Sequence, residues 1–97
     1  MDCPLLSVVG TVVVVGPVEL GDQDTTYRYL VIQERGGRLR DLTMVRAVPA
    51  LSELIEPHAI GMFLFWDTAG ECRLWCVDRA DGPQMVDFAA LRTVVTQ

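Results

Sequence analysis

From Ser7 to Leu20 the chain reads SVVGTVVVVGPVEL, a run dominated by valine. Valine is stiff at its first side-chain torsion and packs well on a pleated surface, so the run predicts a long first strand. Gly10 is expected to mark a bulge or bend, and Gly16-Pro17 a second break. The polar segment GDQDTT over 21–26 predicts an exposed loop, after which YRYLVIQE, Tyr27 to Glu34, has the aromatic and branched composition of a second strand. Gly36 and Gly37 supply the positive torsions of a tight hairpin turn. A third strand then runs from Arg38 to about Val48. It places Arg40, Leu42, Met44 and Arg46 on one side and Leu39, Asp41, Thr43 and Val45 on the other. Neither set is cleanly apolar, so alternation does not choose its inward face.

The period changes at PALSELIE, Pro49 to Glu56, where Leu51, Leu54 and Ile55 share a helical face and Pro49 suits a first-turn position. Pro57 ends this segment, leaving about two turns, too short to be stable alone. The helix must lean on the sheet, plugging one end of a barrel. After His58 come two further strands, AIGMFLFW and CRLWCVDR, joined by a turn near DTAG. Asp81-Gly82-Pro83 predicts another turn. Beyond it Phe88, Leu91, Val94 and Val95 can share a helical stripe with Asp87 as its cap, while the terminal valines and threonines make a final strand the alternative.

The segment GMFLFW is apolar on both faces: Met62, Leu64 and Trp66 point one way, Phe63 and Phe65 the other. A large side chain left in water forfeits about 1.5 to 3 kcal/mol of burial, so the outward row needs a cover. Three covers are available. The short helix or the segment around Phe88 and Leu91 can pack there, or a second copy of the chain can, or a different protein or a membrane-attached remainder of a longer chain. Phe63 and Phe65 are the candidate self-association residues, most simply in a two-fold homodimer. On the partner strand, Cys72, Leu74 and Cys76 are expected on one face and Arg73, Trp75, Val77 and Arg79 on the other.

Ninety-seven residues, about half apolar, make one small folded domain spanning 1–97 and mainly β. The order is three strands, a short helix, two strands and a tail of helix or strand. That order resembles the five-stranded Greek-key barrel of the oligonucleotide/oligosaccharide-binding (OB) type, which carries a helix between strands three and four. A small SH3-like barrel and an open sheet with two helices are the alternatives. Asp2 and the absence of a basic region ahead of the first apolar run argue against a secretory signal, and no run reaches the length of a spanning helix. With three cysteines, this predicts reduced thiols in the cytoplasm.

The net charge of -5 opposes a phosphate backbone, which binds chiefly through lysine and arginine. All eight basic residues are arginine, and five of them, Arg28, Arg35, Arg38, Arg40 and Arg46, cluster between 28 and 46. Glu19, Asp22 and Asp24 precede the cluster and are expected to neutralise it across neighbouring strands. Cys72 and Cys76, four apart on a strand, lie about 13 Å apart, too far for one zinc ion or a disulfide. No metal or other cofactor is expected. His58 is a lone histidine with no nucleophile motif around it, which argues against an enzyme. Tyr27, Arg28, Tyr29, Arg38, Arg40, Arg46, Arg73 and Trp75 make a candidate partner surface, since aromatic and arginine side chains dominate interface hot spots. The expectation is a non-enzymatic binding or assembly module for a protein partner. The alternative is single-stranded nucleic-acid binding, with bases stacked on Tyr27, Tyr29 or Trp75 beside the arginines.

Overall fold

The computed structural model of the protein describes residues 5–68, 71–82 and 84–87. Its elements are β1 (Leu5–Val15), β2 (Val18–Leu20), β3 (Thr25–Glu34), β4 (Leu39–Ala47), α1 (Pro49–Ser52), β5 (Ile60–Thr68), β6 (Glu71–Arg79) and β7 (Gln84–Val86). The valine run of the N-terminal third breaks at Gly16-Pro17 as its composition predicts, and β2 continues beyond the break alongside β3. Gly37, at φ 90°, turns β3 into β4. No helix among the described residues is long and apolar enough to cross a membrane.

The strands form one seven-stranded sheet. β1 pairs antiparallel with β5 through Leu5–Thr11 and with β3 through Gly10–Val15. β3 and β4 are antiparallel, as are β5 and β6, while β4 meets β6 in parallel at Val45–Cys72 and Arg46–Arg73. These five pairings run in a circuit, β1 to β3, β4, β6, β5 and back to β1. Where β1 serves two neighbours at once, Gly10 lies opposite Glu34 of β3 and Gly61 of β5. A β-carbon on Gly10 would strike the carbonyl oxygen of Gln33, and one on Gly61 that of Asp78. Only hydrogen fits at this crossing, so both glycines are required by the approach of backbones.

Val8, Val12, Leu30, Ile32, Leu42, Val45, Phe63, Phe65, Leu74 and Val77 fill the interior. Leu51 and Ile55 close over it from the segment of α1. That segment is shorter as α-helix than its periodicity predicts. After Ser52 the turns tighten, with Leu54 N–H donating to Leu51 at 3.0 Å and Ile55 N–H to Ser52 at 3.2 Å. These are three-residue rather than four-residue closures. The apolar face survives the change, because Leu51 and Ile55 still point the same way.

Four expectations are corrected by the packing. Phe63 and Phe65 are fully buried core residues, and it is Met62, Leu64 and Trp66 that form the outer row, half-buried. The Phe pair therefore offers nothing to a second copy. The outer row is shielded sideways within the sheet: Met62 stands between Val9 and Asp78, Leu64 between Ser7 and Cys76, Trp66 between Leu5 and Arg73. Tyr27 is also a core residue, only 3% exposed, its hydroxyl donating to the Ser52 carbonyl at 3.1 Å. Cys76 does not share a face with Cys72 and Leu74. Phe65 lies opposite Leu74 and Phe63 opposite Val77, so Trp75 is an extra residue that reverses the strand's parity. Cys76 is left on the outer face, buried beside β7, with Val86 opposite it. Finally, Gln84–Val86 is a strand on the edge of β6, where no strand is predicted. The helix-or-strand expectation for Phe88, Leu91, Val94 and Val95 falls outside the described residues.

Candidate functional site on the outer face of the sheet

On both β3 and β4 the inward parity changes at one level. Tyr27 and Leu30 are buried while Arg28 and Tyr29 between them are exposed, and across the ladder Leu42 and Val45 are buried while Thr43 and Met44 are exposed. Pairing skips Arg28 and Met44, which face each other at this level. Met44 accomplishes the switch with φ 52°, the left-handed region that a long side chain occupies at a cost of about 1 to 2 kcal/mol. The result is an apolar side chain held 51% exposed, one position from Thr43, whose direct partner Tyr29 is 45% exposed.

Tyr29 is held by a neighbour the sequence pattern treats only as a strand break. A β-carbon on Gly16 would lie 2.8 Å from two atoms of the Tyr29 ring and 2.7 Å from its carbonyl oxygen. The ring therefore covers Gly16, which is buried, and the Gly16 N–H donates to the Tyr29 carbonyl at 2.9 Å. An aromatic ring laid over a glycine beside a strand supplies the contact the glycine lacks and fixes the ring's outward position.

Four of the five arginines of the predicted surface, all but Arg38, are matched to carboxylates. Arg28 donates to Glu19 at 3.1 Å. Arg46 and Arg73, neighbours across the parallel β4–β6 pairing, converge on Asp24 at 3.2 Å and 3.0 Å, and Arg73 also lies 3.8 Å from Asp87. Arg40 departs from the expected surface. It stands opposite Ile32 of the core, so its stem enters the interior, and its guanidinium donates to Glu34 at 3.2 Å. Its Nε is enclosed without a hydrogen-bond partner among the described residues. Arg38 is exposed at the β3–β4 turn. Trp75 is half-buried, its indole N–H enclosed without a partner among the described residues.

Of the eight predicted surface residues, the structure brings Arg28, Tyr29, Arg46, Arg73 and Trp75 to the outer side of β3, β4 and β6. Arg38 is at the turn, Arg40 is half interior, and Tyr27 is core. Met44 and Gly16 are the residues sequence reasoning missed. The sequence does carry a signal for Met44, the break in alternation along Leu39 to Val48.

The thiols of Cys72 and Cys76 are poor nucleophiles. Burial, aided by the neighbouring Asp67 carboxylate, pushes the Cys72 thiol up to about 12. Burial and Asp78 raise Cys76 as well, against a hydrogen bond from Gln84 that lowers it. His58 is exposed, with φ 75°, and its backbone N–H donates to the Val12 carbonyl at 2.7 Å. Among the described residues no group of three His, Cys, Asp or Glu side chains could hold a metal ion. Compared with models of known protein families, with curated proteins and with solved structures, the chain matches none of them.

Proposed function

We propose that the chain is a non-enzymatic binding or assembly module that engages a protein partner through the outer face of β3 and β4, centred on Tyr29 and Met44. The observation that carries this reading is the strained Met44. A backbone torsion unfavourable for a long side chain is maintained in a strand where its effect is to hold apolar surface in water. Beside it stands Tyr29, pinned over Gly16, and around both lie ion-paired arginines. An apolar centre with a charged rim is how protein interfaces are commonly built.

The scaffold reading is an OB-type barrel. The circuit β1, β3, β4, β6, β5, closed by a parallel β4–β6 contact and with α1 between its third and fourth strands, supports it. In that architecture the face of the second and third strands is a common binding surface, and here those strands are β3 and β4. Protein is favoured over single-stranded nucleic acid because Arg28, Arg46 and Arg73 each have a carboxylate within 3.2 Å. A phosphate would have to displace them.

The test compares the intact chain with a Tyr29→Ala, Met44→Ser double variant. Proteins from the source cell that bind the immobilised wild type and are lost on the variant, with the fold unchanged by circular dichroism, support the reading. Labelled single-stranded DNA and RNA are titrated in parallel. Submicromolar binding that weakens steeply with salt would overturn it in favour of nucleic acid.

A further inference from the structure

Two surface features at opposite ends of β3 are each unsatisfied and each complementary to the other. At the first end, Leu20 is 84% exposed, the most exposed large hydrophobic of the described residues. Two positions on, Asp22 is exposed and forms no ion pair among the described residues, although Glu19 and Asp24 on either side do. At the other end lies an open groove of about 440 Å³. Val9, Ile60 and Ala80 give it apolar walls, Thr11 and Gln33 add polar ones, and the backbone of Gly61 lines it between them. Arg35, on its rim, is exposed and has no ion pair among the described residues. Glu34, also at the groove, is engaged by Arg40, so the uncompensated charge there is positive.

The two features cannot meet within one chain. Leu20 is opposite Thr25, the first residue of β3, whereas Arg35 follows its last, Glu34. At about 3.3 Å per residue the two ends stand roughly 30 Å apart. An acidic chain of net charge -5 repels its copies except where local charges are opposite. Leucine beside a carboxylate without an ion pair among the described residues, matched with a groove that has an apolar wall and a guanidinium likewise unpaired among them, is such a place.

We propose that copies of this chain associate head to tail, Leu20 of one entering the groove of the next and Asp22 pairing with Arg35. The contact uses neither Tyr29 nor Met44 and is independent of the partner surface on β3 and β4. Because the two halves lie on different parts of the molecule, the contact is heterologous. It generates rings or open chains rather than a closed two-fold pair.

Sedimentation velocity over a concentration series tests this with the full chain. The wild type is expected to grow in average mass with concentration, while Leu20→Asp and Arg35→Glu each associate at least tenfold more weakly. An equimolar mixture of the two variants is expected to form a two-chain species and nothing larger, since each keeps the half that the other lacks. Asp22→Arg combined with Arg35→Glu in one chain is expected to restore growth, which misfolding cannot imitate. A wild type that stays monomeric overturns the proposal. So does association that persists in both single variants, which would assign self-contact to the Met62, Leu64 and Trp66 row instead.

Discussion

The inner face of β5 and the outer face of β3–β4 hold their aromatic side chains by different means. Phe63 and Phe65 are placed by plain alternation and paid for by burial, each with 0% exposure. Tyr29 and Met44 are placed by irregularity: a ring resting on a glycine and a residue in the left-handed region. The first arrangement is what stability alone selects. The second gives up stability to hold apolar surface outward, and that contrast is the reason for proposing binding at β3–β4 rather than at the aromatic-rich β5.

The contrast can be broken most severely at the core. Phe65→Ala is expected to cost about 3 to 5 kcal/mol in urea denaturation, a large part of the 5 to 15 kcal/mol typical of a small domain. A loss below about 1 kcal/mol would mean that Phe65 is not enclosed. At the crossing, Gly61→Val is expected to abolish cooperative folding or come close to it, because the new side chain meets the Asp78 carbonyl.

The outer face should respond in the opposite sense. Met44→Gly relieves the torsion and is expected to change stability by less than about 1 kcal/mol, with relief set against the entropy of a strand glycine. Phe65→Ala and Met44→Gly measured side by side therefore sharpen the comparison. If Met44→Gly destabilises as much as a core truncation, Met44 is structural and the functional reading of its strain fails. Arg28→Ala, which breaks an exposed ion pair with Glu19, is expected to shift stability by no more than about 0.5 kcal/mol.

A pH series separates the buried thiol from these surface effects. The folded-state value of Cys72 is raised to about 12, whereas an unfolded thiol ionises near its ordinary value of 9.0. Its contribution is thus fully present below about pH 8 and is lost progressively as pH rises from about 9 through 12. Cys72→Ala should flatten that alkaline slope, measured by denaturation midpoints between pH 7 and about 10. An unchanged slope would show that Cys72 is accessible to solvent.

Much of the fold was legible because valine runs, paired glycines and polar loops act locally. The strands of GMFLFW and CRLWCVDR, the Gly36-Gly37 turn and the break at Gly16-Pro17 all follow from neighbours in sequence. Facing was harder. Strict alternation put Cys72 and Cys76 together, whereas residue type alone put Tyr27 on the surface; alternation fails where an extra or skewed residue reverses parity, and where that falls depends on how distant strands close. Trp75 in β6 and the Arg28–Met44 level in β3–β4 are such places. The arginine neutralisation was legible in outline, since Glu19 and Asp24 do take up Arg28, Arg46 and Arg73. Convergence of Arg46 and Arg73 on one carboxylate was not, because it requires the parallel meeting of β4 with β6.

The crossing at Gly10 also sets the order of assembly in time. β1 must pair with β5, joining Leu5 to Trp66 across nearly two-thirds of the chain, whereas β3–β4 and β5–β6 pair strands that follow one another closely in sequence. Those pairs can form as soon as their residues are available, but β1 waits for β5. Folding of such a non-local topology is slow, roughly in milliseconds to seconds, compared with microseconds for a hairpin. During synthesis, the Leu5–Thr11 part of β1 therefore keeps an exposed edge until β5 has been made. Until then that edge is open to pairing with a neighbour's strand.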